Sequence, residues 1–270
     1  MFSLKPRPGI RETRARAGRV PLLILSPETP GKQRAPAVLW IHGGGYFTGM
    51  KEMVRMSRAA DLVRELGMTV VSPGYRLSLA APYPAALDDC YAALLWIRDH
   101  AAELGADPDC LLVGGESAGG GLCASLCMLA RDRGEVKIRL QMPLYPMLDN
   151  RDTESSRDNH GRVWNTRRNH FGWRTYLRGD AKKNVSPYAA AARQTDWGGL
   201  PPAVTFVGDG EPFYAETLAF VGNLRNAGIP VACDVWKTDT HAFDMLHPEW
   251  EISRRASEAF LAHVREFLEK

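Results

Sequence analysis

Short apolar runs alternate with longer stretches whose apolar residues fall three and four positions apart. The short runs predict strands at 20–25, 37–41, 68–72, 111–113, 138–144, 203–207 and 231–235, with 68–72 short and buried. Residues 51–66 carry Met53, Met56, Ala60, Val63 and Leu66 at helical spacing and stop at Gly67, which predicts a helix. Residues 84–104 read as a second helix, with Pro84 suited to its first turn and Gly105 to its end. Further helices are predicted at 118–131, at 214–227 and at 249–269, where Ile252, Ala256, Phe260, Val264 and Phe267 form one stripe. Regular strand–helix alternation is the mark of a mostly parallel sheet flanked by helices on both faces.

The alternation breaks between 149 and 186, where charge, Asn and Trp rise and no clean strand is visible. That stretch is expected to be an inserted cap within a single domain spanning 1–270. Its Trp164, Phe171, Trp173 and Tyr176 suit either an apolar pocket lining or the fastening of the cap to the body.

At 270 residues one core can bury roughly three quarters of the unfolded surface, so no disulfide or metal staple is required. The formal charge of +3 does not call for nucleic acid, and no apolar stretch reaches spanning length. Basic residues gather early (Lys5, Arg7, Arg11, Arg14, Arg16, Arg19), but Glu12 and prolines interrupt them and no secretory apolar region follows. A solvated face and a cytoplasmic protein are expected. Five cysteines lack metal-ligand spacing; Cys123 and Cys127 should share a helix face as small core residues. No metal or cofactor is expected.

The chemistry concentrates in two segments. Gly115-Glu116-Ser117-Ala118-Gly119 follows an apolar run and precedes a helix-compatible one, the setting of a nucleophile elbow that exposes a serine oxygen. Chance alone places such a motif in roughly one chain in ten of this length. The sharper signal is His42-Gly43-Gly44-Gly45, where Gly43, Gly44 and Gly45 follow a strand and free their N–H groups to face an oxyanion, together with that of Ala118. A phosphate loop is disfavoured because its lysine and Ser/Thr are missing. His42 reads as structural, with a role as base the lesser alternative. His241, just after the strand 231–235, is the expected base, with His247 its competitor. The orienting acid should follow strand 203–207, where Asp209 and Glu211 both stand; spacing does not separate them.

These segments, with Tyr75-Arg76-Leu77, Pro212-Phe213 and His241-Ala242-Phe243, resemble the hormone-sensitive-lipase group of bacterial esterases. The resemblance runs from about Ala35 onward. It implies an alpha/beta hydrolase fold and favours Glu211 over Asp209, since Glu211 stands where that group has the aspartate of an Asp-Pro pair. Glu116, where the group often has Asp or Thr, reads as structural, paired with Arg76. The N-terminal cap typical of the group is expected to be reduced.

The expected activity is hydrolysis of small, short-acyl (acetyl to butyryl) esters by Ser117, His241 and Glu211, with Tyr46, Trp164 and Trp173 as pocket candidates. Two alternatives remain open. One is an amide, formamide or small-peptide hydrolase with the same machinery; the other is a non-catalytic small-molecule binder. The expected partner is a small ester, with neither nucleic acid nor membrane, and a homodimer through the last strand and helix suits the group.

Overall fold

The computed structural model describes residues 7–29, 31 and 34–269; Lys5, from the early basic group, lies outside them. In chain order the strands are β1 Ile10–Ala17, β2 Val20–Pro27, β3 Ala35–Ile41, β4 Thr69–Pro73, β5 Ala106–Glu116, β6 Leu140–Leu144, β7 Ala203–Gly208 and β8 Val231–Trp236. The helices are α1 Arg58–Leu66, α2 Ala85–His100, α3 Ala118–Arg133, α4 Thr166–Tyr176, α5 Asp180–Lys183, α6 Tyr214–Asn226, α7 Phe243–Leu246 and α8 Glu251–Glu269.

The strands form one sheet in the order β1-β2-β4-β3-β5-β6-β7-β8. β1 pairs antiparallel with β2 and β2 antiparallel with β4, while every later pairing is parallel. Side chains alternate across the pleat, and the core splits accordingly. Leu22, Ile24, Leu39, Ile41 and Val113 face the layer containing α2 and α3. Leu23, Leu25, Val38, Trp40 and Leu112 face α1 and α8. Among the described residues no helix is long and apolar enough to cross a membrane.

Two of the departures from the sequence expectation lie in the first quarter of the chain. The predicted helix 51–66 is divided: Lys51–Met56 is a 3-10 helix, and α1 begins only after Ser57, whose hydroxyl accepts the Ala59 N–H at 3.1 Å. Strand β1 carries no apolar run to predict it, because only Ile10 and Ala17 are buried in its eight residues. It is the outermost strand, and its charged residues protect an otherwise open sheet edge. Part of the early basic group is thus a strand face, with Arg55 on the neighbouring 3-10 helix paired to Glu12 at 2.7 Å.

The register positions the site. Ile41 at the end of β3 lies opposite Gly115 near the end of β5, which brings the glycine loop beside Ser117. Gly208 at the end of β7 lies opposite Trp236 at the end of β8, so the loops carrying Glu211 and His241 emerge together.

Candidate active site

Ser117 joins β5 directly to α3 with φ 58° and ψ −119°, a left-handed conformation that a non-glycine residue adopts only when its surroundings hold it there. Its neighbours permit the turn. A side chain on Gly119 would collide with the backbone carbonyls of Ile41 and His42. One on Gly43 would lie 2.9 Å from the Glu116 carbonyl and 3.2 Å from Ser117 Cβ, so the glycine loop rests directly on the elbow.

His241 follows β8 and is 4% exposed, enough for its ring to meet the cavity. Its Nε2 is 2.9 Å from Ser117 Oγ, and its Nδ1 is bonded to Glu211 Oε2. The other Glu211 oxygen accepts the Gly208 N–H at 2.7 Å, which fixes the fully buried carboxylate. Asp209 faces the other way and accepts the Thr238 N–H at 3.0 Å, tying two exposed loops together. The competitor His247 stacks on Trp250 at 3.9 Å, outside the cavity.

His42 is buried and stacked on Tyr75 at 4.2 Å. Burial pushes its imidazole down to about 4, so the ring is neutral, and its Nδ1 lies 2.8 Å from the Gly43 carbonyl oxygen. The neutral tautomer that makes this bond carries its proton on Nδ1. The Tyr75 hydroxyl donates to the His42 carbonyl at 2.9 Å. These groups hold the loop from behind.

Glu116 is not paired with Arg76. Arg76 forms a two-bond fork on Asp89, at 2.8 and 2.9 Å, whereas Glu116 is buried among Trp40, Ser57, Arg58 and Asp244. Its Oε1 accepts the Trp40 indole N–H at 2.7 Å. Burial pushes the Glu116 carboxyl up to about 8 against the opposing effect of that bond.

The cavity above Ser117 is about 440 Å³ and is bordered by Gly43, Gly44, Trp164 and His241. Two pocket candidates fall outside it. Tyr46 is buried, donates to the Met147 carbonyl at 2.9 Å and stacks on Tyr176 at 4.0 Å. Trp173 is buried 5.4 Å from Tyr46. Both fasten α4 to the glycine loop. Of the aromatic candidates, Trp164 reaches the cavity, and it also fills the space beside the Gly45 α-carbon. Met50, Met245 and Leu246 also line the cavity, as do Met53 and Met56, which helical spacing alone had assigned only to the helix 51–66.

Residues 38–245 match the model of a family described as alpha/beta hydrolase fold. The chain belongs to this family. As an alpha/beta hydrolase it is 32% identical over 234 residues to the carboxylic ester hydrolase LipN of Mycobacterium tuberculosis, covering 84% of this chain and 61% of that one. The chain therefore spans about three fifths of LipN's length. Ethyl acetate hydrolase of Pseudomonas putida is 29% identical over 227 residues, 82% of this chain and 70% of that protein. Among solved structures, a bacterial heroin esterase superposes with a TM-score of 0.89 at 33% identity, covering 99% of this chain and 86% of that one. The motif resemblance to the hormone-sensitive-lipase group agrees with these likenesses.

Proposed function

We propose that the protein is a serine carboxylesterase acting on short-acyl esters, acetyl to butyryl, through Ser117, His241 and Glu211. The observation that carries this reading is the continuous path from Ser117 Oγ through the His241 ring to the buried Glu211 carboxylate, opening on an apolar cavity. Ser117 Oγ attacks the ester carbonyl carbon while His241 Nε2 takes its proton. Glu211 holds the Nδ1–H tautomer and stabilises the imidazolium. The tetrahedral intermediate collapses, the C–O bond to the alcohol breaks, and His241 returns the proton to the departing oxygen. Water then attacks the acyl-serine by the same route and releases the acid.

The oxyanion donors are the N–H groups of Gly44, Gly45 and Ala118. In each preceding peptide the carbonyl is engaged elsewhere. Gly43 O meets the His42 ring; Gly44 O accepts from Phe47 and Thr48; Ser117 O accepts from Gly121 and Met147. A trans peptide turns its N–H opposite to its carbonyl, which directs these donors away from those partners. Gly43 contributes its lack of a side chain. Residues 149–186 act as a cap, supplying Trp164 to the cavity. The acyl preference is supported by the likeness to ethyl acetate hydrolase.

The test is p-nitrophenyl acetate hydrolysis with Ser117 titrated by paraoxon. Ser117→Ala is expected to lose about six orders of magnitude in kcat, by analogy with other hydrolases that lose their serine. A matched p-nitroanilide should turn over far more slowly than the ester. Full activity in Ser117→Ala would refute the reading.

A further inference from the structure

We propose that Met50, Met53, Met56 and Met245 form a thioether wall that selects esters of uncharged, aryl-sized alcohols; this rests on the esterase reading above. Lys51–Met56 is a 3-10 helix, in which residues three apart eclipse one another. Met50, immediately before it, Met53 and Met56 therefore form one row, and all three line the cavity over Ser117. The intervening residues are used elsewhere. Val54 is buried in the core, Lys51 bonds Glu52 at 2.8 Å, and Arg55 pairs with Glu12 on β1. Met245 adds a fourth thioether, beside Leu246, Val163 and Trp164.

The row runs from the mouth inward. Met50 is 51% exposed, while Met53 and Met56 are partly covered and Met245 is buried. Among the described residues no arginine or lysine lines this space. The carboxyl described there, Glu116, is bonded to Trp40, and the Tyr145 hydroxyl is bonded to Asp244. A charged alcohol would thus meet no counter-charge. Thioethers instead adapt to ring shapes and make favourable contacts with aromatic edges. The position of His241 identifies which half of the ester meets the wall. His241 must reach the departing oxygen, and Ala242, Met245 and Leu246 follow it directly along the same cavity border. The alcohol half lies on that side.

The test compares kcat/KM for 2-naphthyl acetate and ethyl acetate, and separately for ethyl phenylacetate and ethyl acetate. Taking each ratio between variants cancels the esters' intrinsic reactivities, and paraoxon titration normalises rates to intact sites. In Met53→Gln/Met56→Gln the naphthyl-to-ethyl ratio should fall about tenfold or more, the scale of losing a methylene-sized apolar contact. Met53→Leu/Met56→Leu, apolar and similar in volume, should retain the ratio within about threefold. The phenylacetate ratio should move less than the naphthyl ratio. An unchanged naphthyl ratio in the Gln variant, or a larger fall in the phenylacetate ratio, would overturn the proposal. If the double Gln variant yields no titratable sites, Met53→Gln alone carries the same comparison. Wild type that neither reacts with paraoxon nor hydrolyses any acetate would instead overturn the esterase reading itself.

Discussion

At the scale of single residues, the contrast between Glu211 and Asp209 shows how position outweighs residue type. Both are acids in one loop, but only the Glu211 side chain is buried against the His241 Nδ1 edge. Glu211→Gln should lower kcat by about 10⁴, because the amide can present its N–H to Nδ1 and favour the wrong tautomer. Asp209→Asn, an exposed change that keeps an acceptor for Thr238, should stay within about twofold, since surface changes of this kind rarely exceed ~0.5 kcal/mol. Steady-state p-nitrophenyl acetate kinetics decide between them; equal losses would return the acid to open choice. Glu116 supports a pH prediction. Its carboxyl sits up at about 8 in the folded protein through burial, whereas an unfolded glutamate titrates near ~4.3. Between those values the native state holds a proton that the unfolded chain has released. Its contribution is full below the unfolded pKa and fades as pH rises through 8, by up to ~1.4 kcal/mol per pH unit. Burial raises Asp244 in the same sense, so the comparison needs a variant. Urea midpoints from pH 6 to 9 should fall in wild type and fall less in Glu116→Gln. Parallel profiles would refute the assignment.

At the scale of elements, the legible parts were those whose pattern matched one geometry. Strand β7, most of β3 and the second half of β5 are buried on both faces and read as apolar runs, and α8 shows its stripe directly. β1 was illegible because an edge strand with one pairing partner need not alternate. The turn at 51–56 misled because apolar residues three apart fit an α-helix as well as a 3-10 helix. That ambiguity hid the methionine row. The glycine loop and the strand-to-helix turn at Ser117 were readable from spacing, while the depth of Tyr46 and Trp173 was not, since a sequence gives no depth for an aromatic ring. The elbow also makes an element-level demand on Gly119, where the first turn of α3 approaches the end of β3 closely enough to exclude a side chain. Gly119→Ala should cost about 1–3 kcal/mol in urea unfolding, the range of an overpacked core, and displace Ser117 from His241. An unchanged midpoint with full esterase activity would show that the two elements separate freely.

At the scale of the whole molecule, the site exists because the carboxyl ends of β3, β5, β7 and β8 lie along one edge of the sheet, although their loops are far apart in sequence. Packing on the opposite side of that edge is tied by buried charge. Arg58, on α1, lies 3.1 Å from the Asp244 carboxylate on α7 and 2.8 Å from Asp61, and also donates to the Asp244 backbone at 3.3 Å. Asp244 in turn accepts the Tyr145 hydroxyl at 2.9 Å, and the Tyr145 ring stands edge-on to His241 at 5.1 Å. The chain of contacts joins α1, the loop after β6, and the segment carrying His241. Removing the arginine alone leaves Asp244 buried without its cation, so Arg58→Met should lose about 3–5 kcal/mol of stability. Adding Asp244→Asn removes the stranded charge and should recover part of that loss, giving a coupling energy in a double-mutant cycle. Urea unfolding of the four proteins measures it. Additive losses would mean that Arg58 is balanced chiefly by Asp61, and that α1 and α7 are held together by apolar contact rather than by charge.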